Sequence, residues 1–183
     1  VSSMTDQFGI VWFGTNAHGI RQFNTRAAAF KNYLPELSVY SAPFTDAQGD
    51  VWLGRINQPV FKSLLPNRLN LATGHLMPYP FAALVRDMFA LCTVADDAGD
   101  LWTSGQNRGG QEGKLIHYQP ASGRTAVFQY AVDPQHYFDV LTLRYEAPDA
   151  IWVYLPYRML RFSQLTRQFT AYDYGPLAVG EPS

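Results

Sequence analysis

Four tryptophans recur along this 183-residue chain at steps of 40, 50 and 50 residues, at Trp12, Trp52, Trp102 and Trp152. Each one ends the same phrase, which begins with an acidic residue six positions earlier: Asp6, Asp46, Asp96 and Glu146. The first three copies also place a glycine three positions before the tryptophan. A period of this size is longer than a leucine-rich or ankyrin unit and is typical of propeller blades. The sequence therefore predicts an array of four repeated β-structured units.

Each repeat predicts four short antiparallel strands, in the first copy at residues 1–5, 10–14, 20–23 and 29–33. The acid and the glycine indicate a hairpin turn between the first two strands. The acid accepts hydrogen bonds from backbone amides ahead of it, and glycine adopts the positive φ of a tight turn. Alternation along the second strand puts Trp12 on one face and Val11 and Phe13 on the other, so both faces need a covering neighbour. The predicted fold class is all-β, with four-stranded antiparallel blades stacked face to face.

The predicted blades span approximately residues 1–36, 37–78, 79–136 and 137–174, and residues 175–183 form a linker. In blade two the third and fourth strands are predicted at residues 60–64 and 70–74. No segment of useful length keeps a 3.6-residue period, so any helix that forms is confined to the insertion at residues 81–88. The four blades are expected to be part of a larger propeller, or to be completed by a homodimer that closes an eight-bladed ring and covers open sheet edges.

Charge and hydropathy argue against two classes of partner. The chain carries 14 basic and 15 acidic side chains, for a net charge of −1. It therefore has no excess of positive charge with which to bind nucleic acid or an anionic membrane surface. No apolar run approaches the roughly 20 residues that a membrane-spanning helix needs, so this segment is not expected to insert into a membrane.

The residues that could carry chemistry do not form a recognised motif. The histidines lack the paired spacing of a metal site and are scattered along the chain as His18, His75, His117 and His136. The glycine-rich stretch at residues 105–110 lacks the Lys-Ser/Thr that a phosphate-binding loop requires. We therefore predict no catalytic residue, no metal site and no cofactor.

The repeat resembles the two-component regulator propeller repeat. That pattern reads Asp-x-x-Gly-x-aliphatic-Trp-x-Gly-Thr, followed by Gly-aliphatic-x-x-aromatic, and blade one carries it in nearly full form up to Phe23. The match is good in blades two and three and weak in blade four, where Pro148 and Asp149 occupy the turn. Generic WD-type propellers normally end the phrase with Trp-Asp, and no tryptophan here is followed by aspartate.

The resemblance implies the periplasmic sensor region of a bacterial hybrid two-component system or of a similar membrane sensor. Such a region is the ligand-sensing input module of a signal-transduction receptor. It has no catalysis of its own and is joined to further blades or signalling domains. Two alternatives are a protein–protein interaction scaffold and a propeller-type lyase. The lyase would require His18 or His136 to meet Glu112 or Asp87 in one pocket.

The candidate ligand-binding residues lie in the loops between strands two and three and in the links between blades. These loops emerge on one face of a propeller and are rich in Arg, amide and Tyr groups, which suit carbohydrate hydroxyls or carboxylates. The expected ligand is a small molecule such as an oligosaccharide. The candidates are Arg55, Gln58, Arg86, Gln106, Arg108, His136, Tyr137, Tyr154, Tyr157 and Arg158.

Overall fold

The computed structural model describes residues 2–6, 8–14, 20–24, 26–27, 29–33, 38–39, 43–46, 49–53, 56–57, 67–85, 88–107, 112–132, 142–155 and 158–173. Within these ranges the chain is built of β-propeller blades. Four separate four-stranded antiparallel sheets follow one another along the chain, and one short helix lies between the second and third.

Blades one and two occupy the first half of the chain. Blade one consists of β1 (Ser2–Thr5), β2 (Ile10–Gly14), β3 (Ile20–Asn24) and β4 (Ala29–Tyr33). The next six strands are β5 (Ser38–Val39), β6 (Phe44–Thr45), β7 (Val51–Leu53), β8 (Ile56–Asn57), β9 (Asn67–Leu69) and β10 (Leu76–Pro78). Blade two has the order β10-β9-β7-β6, and β5 pairs with β8 in a separate two-stranded sheet.

Blades three and four have longer strands. Helix α1 (Ala82–Val85) precedes β11 (Met88–Ala95), β12 (Leu101–Asn107), β13 (Glu112–Gln119) and β14 (Arg124–Ala131) of blade three. Blade four consists of β15 (Thr142–Glu146), β16 (Ala150–Leu155), β17 (Arg158–Ser163) and β18 (Gln168–Asp173). The helix lies inside residues 81–88, as the sequence predicted.

The prediction for the second half of blade two was wrong. The third strand is β9, whereas residues 60–64 lie outside the described part of the chain. The predicted fourth strand, residues 70–74, contributes to the turn that precedes β10. In this turn the Gly74 N–H donates to the Asn70 carbonyl at 2.8 Å, and Gly74 has a φ of 73°. The Asn70 side chain accepts from the Thr73 N–H at 2.9 Å, which is ordinary asparagine-glycine turn chemistry.

The repeated acid closes the first hairpin and also holds the tryptophan. In blade three, Asp96 Oδ1 accepts from the backbone N–H groups of Ala98 and Asp100, both at 3.0 Å. Its Oδ2 accepts from Trp102 Nε1 at 2.9 Å. The same indole bond joins the other pairs, at 2.9, 2.7 and 2.6 Å: Asp6 with Trp12, Asp46 with Trp52, and Glu146 with Trp152. The six-residue spacing therefore places each acid beside its own indole N–H.

The two faces of each blade differ in composition. We name each face after the residues that the second strand of the blade contributes to it. In blades one, three and four the tryptophan face carries the tryptophan, an apolar residue of strand three and an aromatic residue of strand four, which in blade three are Trp102, Leu115 and Phe128. The aliphatic face carries the residues on either side of the tryptophan, such as Ile151 and Val153 in blade four.

The core lies between blades, where a tryptophan face meets the aliphatic face of the next blade. Three buried clusters form these interfaces. Blade one meets blade two through Trp12, Ile20, Val51, Leu53 and Leu69. Blade two meets blade three through Trp52, Leu101 and Ile116, with Tyr79, Phe81, Val85 and Met88 packed between them. Blade three meets blade four through Trp102, Leu115, Ile151, Val153, Leu160 and Phe162. The three tryptophans in these interfaces are at most 2% exposed.

Asp149 links the two turns at one end of blade four, which join β15 to β16 and β17 to β18. Its Oδ1 accepts from the Leu165 N–H at 2.7 Å, and its carboxylate lies 3.6 Å from Arg161 Nη2. The Leu165 amide, the Ser163 hydroxyl and the Arg161 charge hold the pKa of the Asp149 carboxyl below its usual value of 3.8. Because these groups favour the ionised form in the folded protein, Asp149 adds stability above its unfolded pKa of about 3.9, and this is lost as the pH falls through the folded pKa.

We therefore expect the thermal midpoint to fall as the pH is lowered from about 5 to about 2, and to fall less steeply in Asp149→Asn. Differential scanning calorimetry across that range measures the effect. The control is Glu112→Gln, at an exposed position on β13. Parallel pH curves for wild type and Asp149→Asn would contradict this role of Asp149.

Candidate ligand-binding site

Seven of the ten predicted ligand-binding residues lie outside the described part of the chain: Arg55, Gln58, Arg86, Arg108, His136, Tyr137 and Tyr157. Gln106 is described, and its predicted position in a loop was wrong. It lies in β12, opposite Phe89 on one neighbouring strand and Gly113 on the other, and its exposed fraction is 0%. The second hairpin of blade three is longer than its sequence suggested, so this amide is enclosed by the sheet.

Tyr154 and Arg158 lie near the same end of the β16–β17 hairpin. Tyr154 shares the tryptophan face with Trp152, whereas Arg158 pairs with Leu155 on the opposite face because side chains alternate along a strand. Arg158 donates a hydrogen bond to Asp173 on β18, and this contact holds the pKa of that carboxyl below its usual value. The two residues therefore do not converge, and a ligand role for either stays a prediction.

A cavity with polar side chains in its wall lies at the other end of the blades, near the turns that join strands one and two and strands three and four. It has a volume of about 300 Å³ and separates blade two from blade three. We call it the inter-blade crevice. It is lined by Asp46, Trp52, Arg68, Ala98, Gly99, Asp100, Tyr118, Pro120 and Ala121.

A second cavity, of about 400 Å³, continues from the crevice toward blade one. The two share Asp46, Ala98 and Gly99, and the second adds the carboxylates of Asp6, Asp96 and Asp97. Asp97 accepts a hydrogen bond from the Tyr145 hydroxyl of blade four at 3.0 Å. Loss of solvent around the phenol, together with this carboxylate, raises the pKa of Tyr145. This end of the array is therefore rich in hydrogen-bond acceptors.

On the blade-two side of the crevice, one guanidinium supplies donors. Arg68 Nε lies 3.3 Å from Asp50 Oδ2, and the guanidinium carbon lies 5.4 Å from the centre of the Trp52 ring. The Arg68 side chain is 29% exposed. Its guanidinium is thus held by a charge and by an aromatic face while part of it remains open to solvent.

On the blade-three side, Asp100 is held from the next strand. Its Oδ2 accepts from Gln119 Nε2 at 3.0 Å and shares a 2.8 Å hydrogen bond with His117 Nε2. The His117 ring stacks on Trp102 with centroids 4.1 Å apart and planes 8° from parallel. The crevice therefore places the Tyr118 phenol of blade three opposite the Arg68 guanidinium of blade two, and these are hydrogen-bonding groups suited to a polyhydroxylated molecule.

Three groups beside the crevice have the composition of a metal site, since ligand atoms of Asp96, Asp100 and His117 all lie within 4.8 Å of one another. Blade two shows what the arrangement does. There Asp50 takes the place of Asp100, and the cationic Arg68 takes the place of His117 opposite the tryptophan. Because a fixed cation occupies the equivalent position, we interpret both pairs as polar links between strands two and three of a blade.

Sequence analysis missed this crevice. The available signal was an acid two residues before the tryptophan in blades two and three, at Asp50 and Asp100, with a basic side chain on the following strand. The repeat alone did not show that the turns of blade three would lie beside Arg68 of blade two.

The fold and the crevice together define the class of protein, which is an array of β-propeller blades with a polar cleft between two neighbouring blades. No protein-family model matches the chain, and no curated protein matches it in sequence. Solved structures do match its fold. The extracellular domain assigned to a one-component system of B. thetaiotaomicron aligns with 94% of this chain and 23% of its own, with a TM-score of 0.67 and 15% identity.

Two further matches come from proteins of other kinds. An auxiliary nutrient binding protein from Bacteroides thetaiotaomicron covers 94% of this chain and 41% of its own, at a TM-score of 0.62 and 12% identity. A gluconolactonase from Xanthomonas campestris covers 95% and 62%, at a TM-score of 0.63 and 10% identity. This chain thus spans less than a quarter of the first neighbour and less than two thirds of the other two. At these identities the likeness shows the propeller fold. Among the described residues, no helix has the length and apolar character needed to cross a membrane.

Proposed function

We propose that this chain is part of the ligand-sensing input region of a bacterial signal-transduction receptor. It binds a small molecule such as an oligosaccharide in the inter-blade crevice and catalyses no reaction. The observation that carries the proposal is the crevice itself, where Arg68 and Tyr118 line one cavity beside Trp52. Its volume of about 300 Å³ lies at the lower end of the roughly 300–1,000 Å³ that small-molecule sites occupy.

The position of the crevice explains how ligand binding would change the packing of blade two against blade three. Its walls belong to two blades, so a ligand that contacts Arg68 on one side and Tyr118 on the other stabilises one relative placement of blades two and three. A ligand shifts an equilibrium only by its differential affinity for the two states. A site shared by two blades supplies that difference in affinity, because its contacts with the ligand depend on how the two blades are placed.

The receptor role and the periplasmic location are supported by the repeat resemblance and by fold neighbours described as extracellular domains of one-component and hybrid two-component systems. The absence of catalysis is supported by the chemistry of the crevice. Asp100 is engaged by His117 and Gln119, and Asp46 holds the Trp52 indole, so these carboxylates act as structural groups.

Blocking the crevice is expected to abolish ligand binding without unfolding the protein. Ala121 is exposed in the turn between β13 and β14 and lines the crevice, so Ala121→Trp fills the opening with an indole. The test titrates neutral and uronic-acid oligosaccharides of two to six units by calorimetry. We expect at least one to bind, with an affinity reduced roughly ten-fold or more in Ala121→Trp, or about 1.4 kcal/mol per factor of ten.

Ala72→Trp is the matched control. Ala72 is exposed at the equivalent place in the corresponding turn of blade two, two residues before Gly74 as Ala121 is two residues before Gly123, and it does not line the crevice. Binding that survives in Ala121→Trp would contradict the crevice as the site. Failure of the wild-type protein to bind any member of the panel would contradict an oligosaccharide ligand.

A further inference from the structure

The tryptophan face of blade four differs from the other three in being uncovered by any described residue. Trp12, Trp52 and Trp102 are 1%, 1% and 2% exposed, whereas Trp152 and Met159 are only half-buried and Tyr172 is 45% exposed. The Trp152 and Tyr172 rings lie 5.6 Å apart and form an aromatic surface on the outside of the sheet. A shallow cavity of about 270 Å³ lies over this face.

Blade one presents the complementary face, which none of the described residues covers either. Val11 and Phe13 are half-buried, the rings of Phe23 and Phe30 lie 4.6 Å apart, and Phe30 is 65% exposed. Blade four shows how such a face is used. Its aliphatic pair and its equivalent aromatic pair, with centroids 4.9 Å apart, cover the tryptophan of blade three: Ile151, Val153, Phe162 and Phe169.

All three observed interfaces follow the same order, in which each tryptophan face packs against the blade that comes next in the chain. The tryptophan face of blade one receives blade two, that of blade two receives blade three, and that of blade three receives blade four. The open face on blade four is therefore the position that the next blade in the series would occupy. The face combines aromatic rings with the charged groups of Arg144 and Glu146, and exposed aromatic rings rimmed by polar groups mark contacts with other protein elements.

We propose that the tryptophan face of blade four is a blade-docking surface, and that its occupant is a fifth blade of the same repeat type. That blade presents an aliphatic pair on its second strand and two contacting aromatic rings on its third and fourth strands, as blade one and blade four do. Two residues after the tryptophan, blades one and three have Gly14 and Ser104, whereas blade four has Tyr154, so the aromatic surface is larger in blade four.

The test uses Trp152 as its reporter, because the other three tryptophans are buried and the acrylamide-quenchable fluorescence of the chain comes from Trp152. A copy of residues 1–36 is appended after Ser183 as an experimental fifth blade, with Trp12→Phe in the copy so that it adds no new signal. The quenching constant is expected to fall roughly five-fold or more relative to the chain alone. The control fusion also carries Phe23→Ser and Phe30→Ser in the copy and is expected to leave Trp152 quenchable.

A second fusion examines the other face independently of the first. A copy of residues 137–183 is placed before Val1, so that its own tryptophan docks on blade one. The quenchable signal is expected to stay at one tryptophan, and to rise to two when Phe30→Ser removes the complementary ring. The proposal is overturned if both fusions quench like their serine controls. It is also overturned if sedimentation shows a dimer of the unmodified chain whose Trp152 becomes quenchable only on dilution, since a second copy would then occupy the face.

Discussion

Replacing Trp102 by alanine is expected to lower the free energy of unfolding by about 3–5 kcal/mol. Trp102 is 2% exposed, stacks on His117 and lies 5.5 Å from the Phe162 ring of the next blade. Truncation leaves a cavity between blades three and four and also removes the partner of Asp96. Because small domains are stable by only about 5–15 kcal/mol, this one change removes a large share of the total. Urea denaturation followed by circular dichroism measures it.

Trp152→Ala is the matched control, since it changes the same residue at the same place in the repeat. Trp152 is half-buried and contacts Tyr172 and Glu146 within its own blade. Its loss is expected to lower the free energy of unfolding by about 1 kcal/mol or less. Similar losses for Trp102→Ala and Trp152→Ala would contradict the conclusion that stability comes from tryptophans enclosed between blades.

The second large effect is expected at Asp96, where Ala should lower the free energy of unfolding by about 3 kcal/mol. The carboxylate accepts from two turn amides and from the Trp102 indole. Removing it leaves a buried N–H without its acceptor, and such groups are more costly than the net value of the bond that held them. The same denaturation experiment gives the value.

Asp96→Glu distinguishes the indole bond from the turn bonds. Blade four naturally has Glu146 at this position, and its Oε2 still accepts from Trp152 at 2.6 Å. We therefore expect Asp96→Glu to keep the indole bond and to lose about 1 kcal/mol from the turn. Equal losses in the Ala and Glu variants would show that the bond to Trp102 contributes nothing.

The sequence predicted the hairpins well and blade two poorly, for reasons visible in particular residues. The acid, glycine and tryptophan of the first hairpin in blades one to three lie within seven positions, and the contacts among them are local. In blade two, β9 and β10 are three residues each, contain Arg68 and Pro78, and have little strand character of their own. Their place is decided by the register with β7, where Trp52 lies opposite Arg68. An apolar run at residues 60–64 offered a stronger local signal and led the prediction away from β9.

The candidate site could not be read in the same way, because its groups come together only through blade packing. Arg68 and Tyr118 lie fifty residues apart in sequence, and neither belongs to the loops between strands two and three or to the links between blades, where ligand-binding residues were expected. Gln106 is a candidate residue that the sequence placed in a loop and the structure places in a strand. A polar residue next to a glycine-rich stretch indicates a loop, yet longer pairing of β12 with β13 encloses it.

The sequence by itself determined that this chain forms repeated β-propeller blades, since turn chemistry and two-residue alternation act between near neighbours and recur in every copy. It also determined which residues could face a core, because each tryptophan follows an aliphatic residue that lies on the opposite face. Only the tertiary structure decided which faces meet, which tryptophan stays open and where a polar cleft forms. Those outcomes depend on contacts between residues about fifty positions apart, whose geometry exists only once one blade has packed against the next.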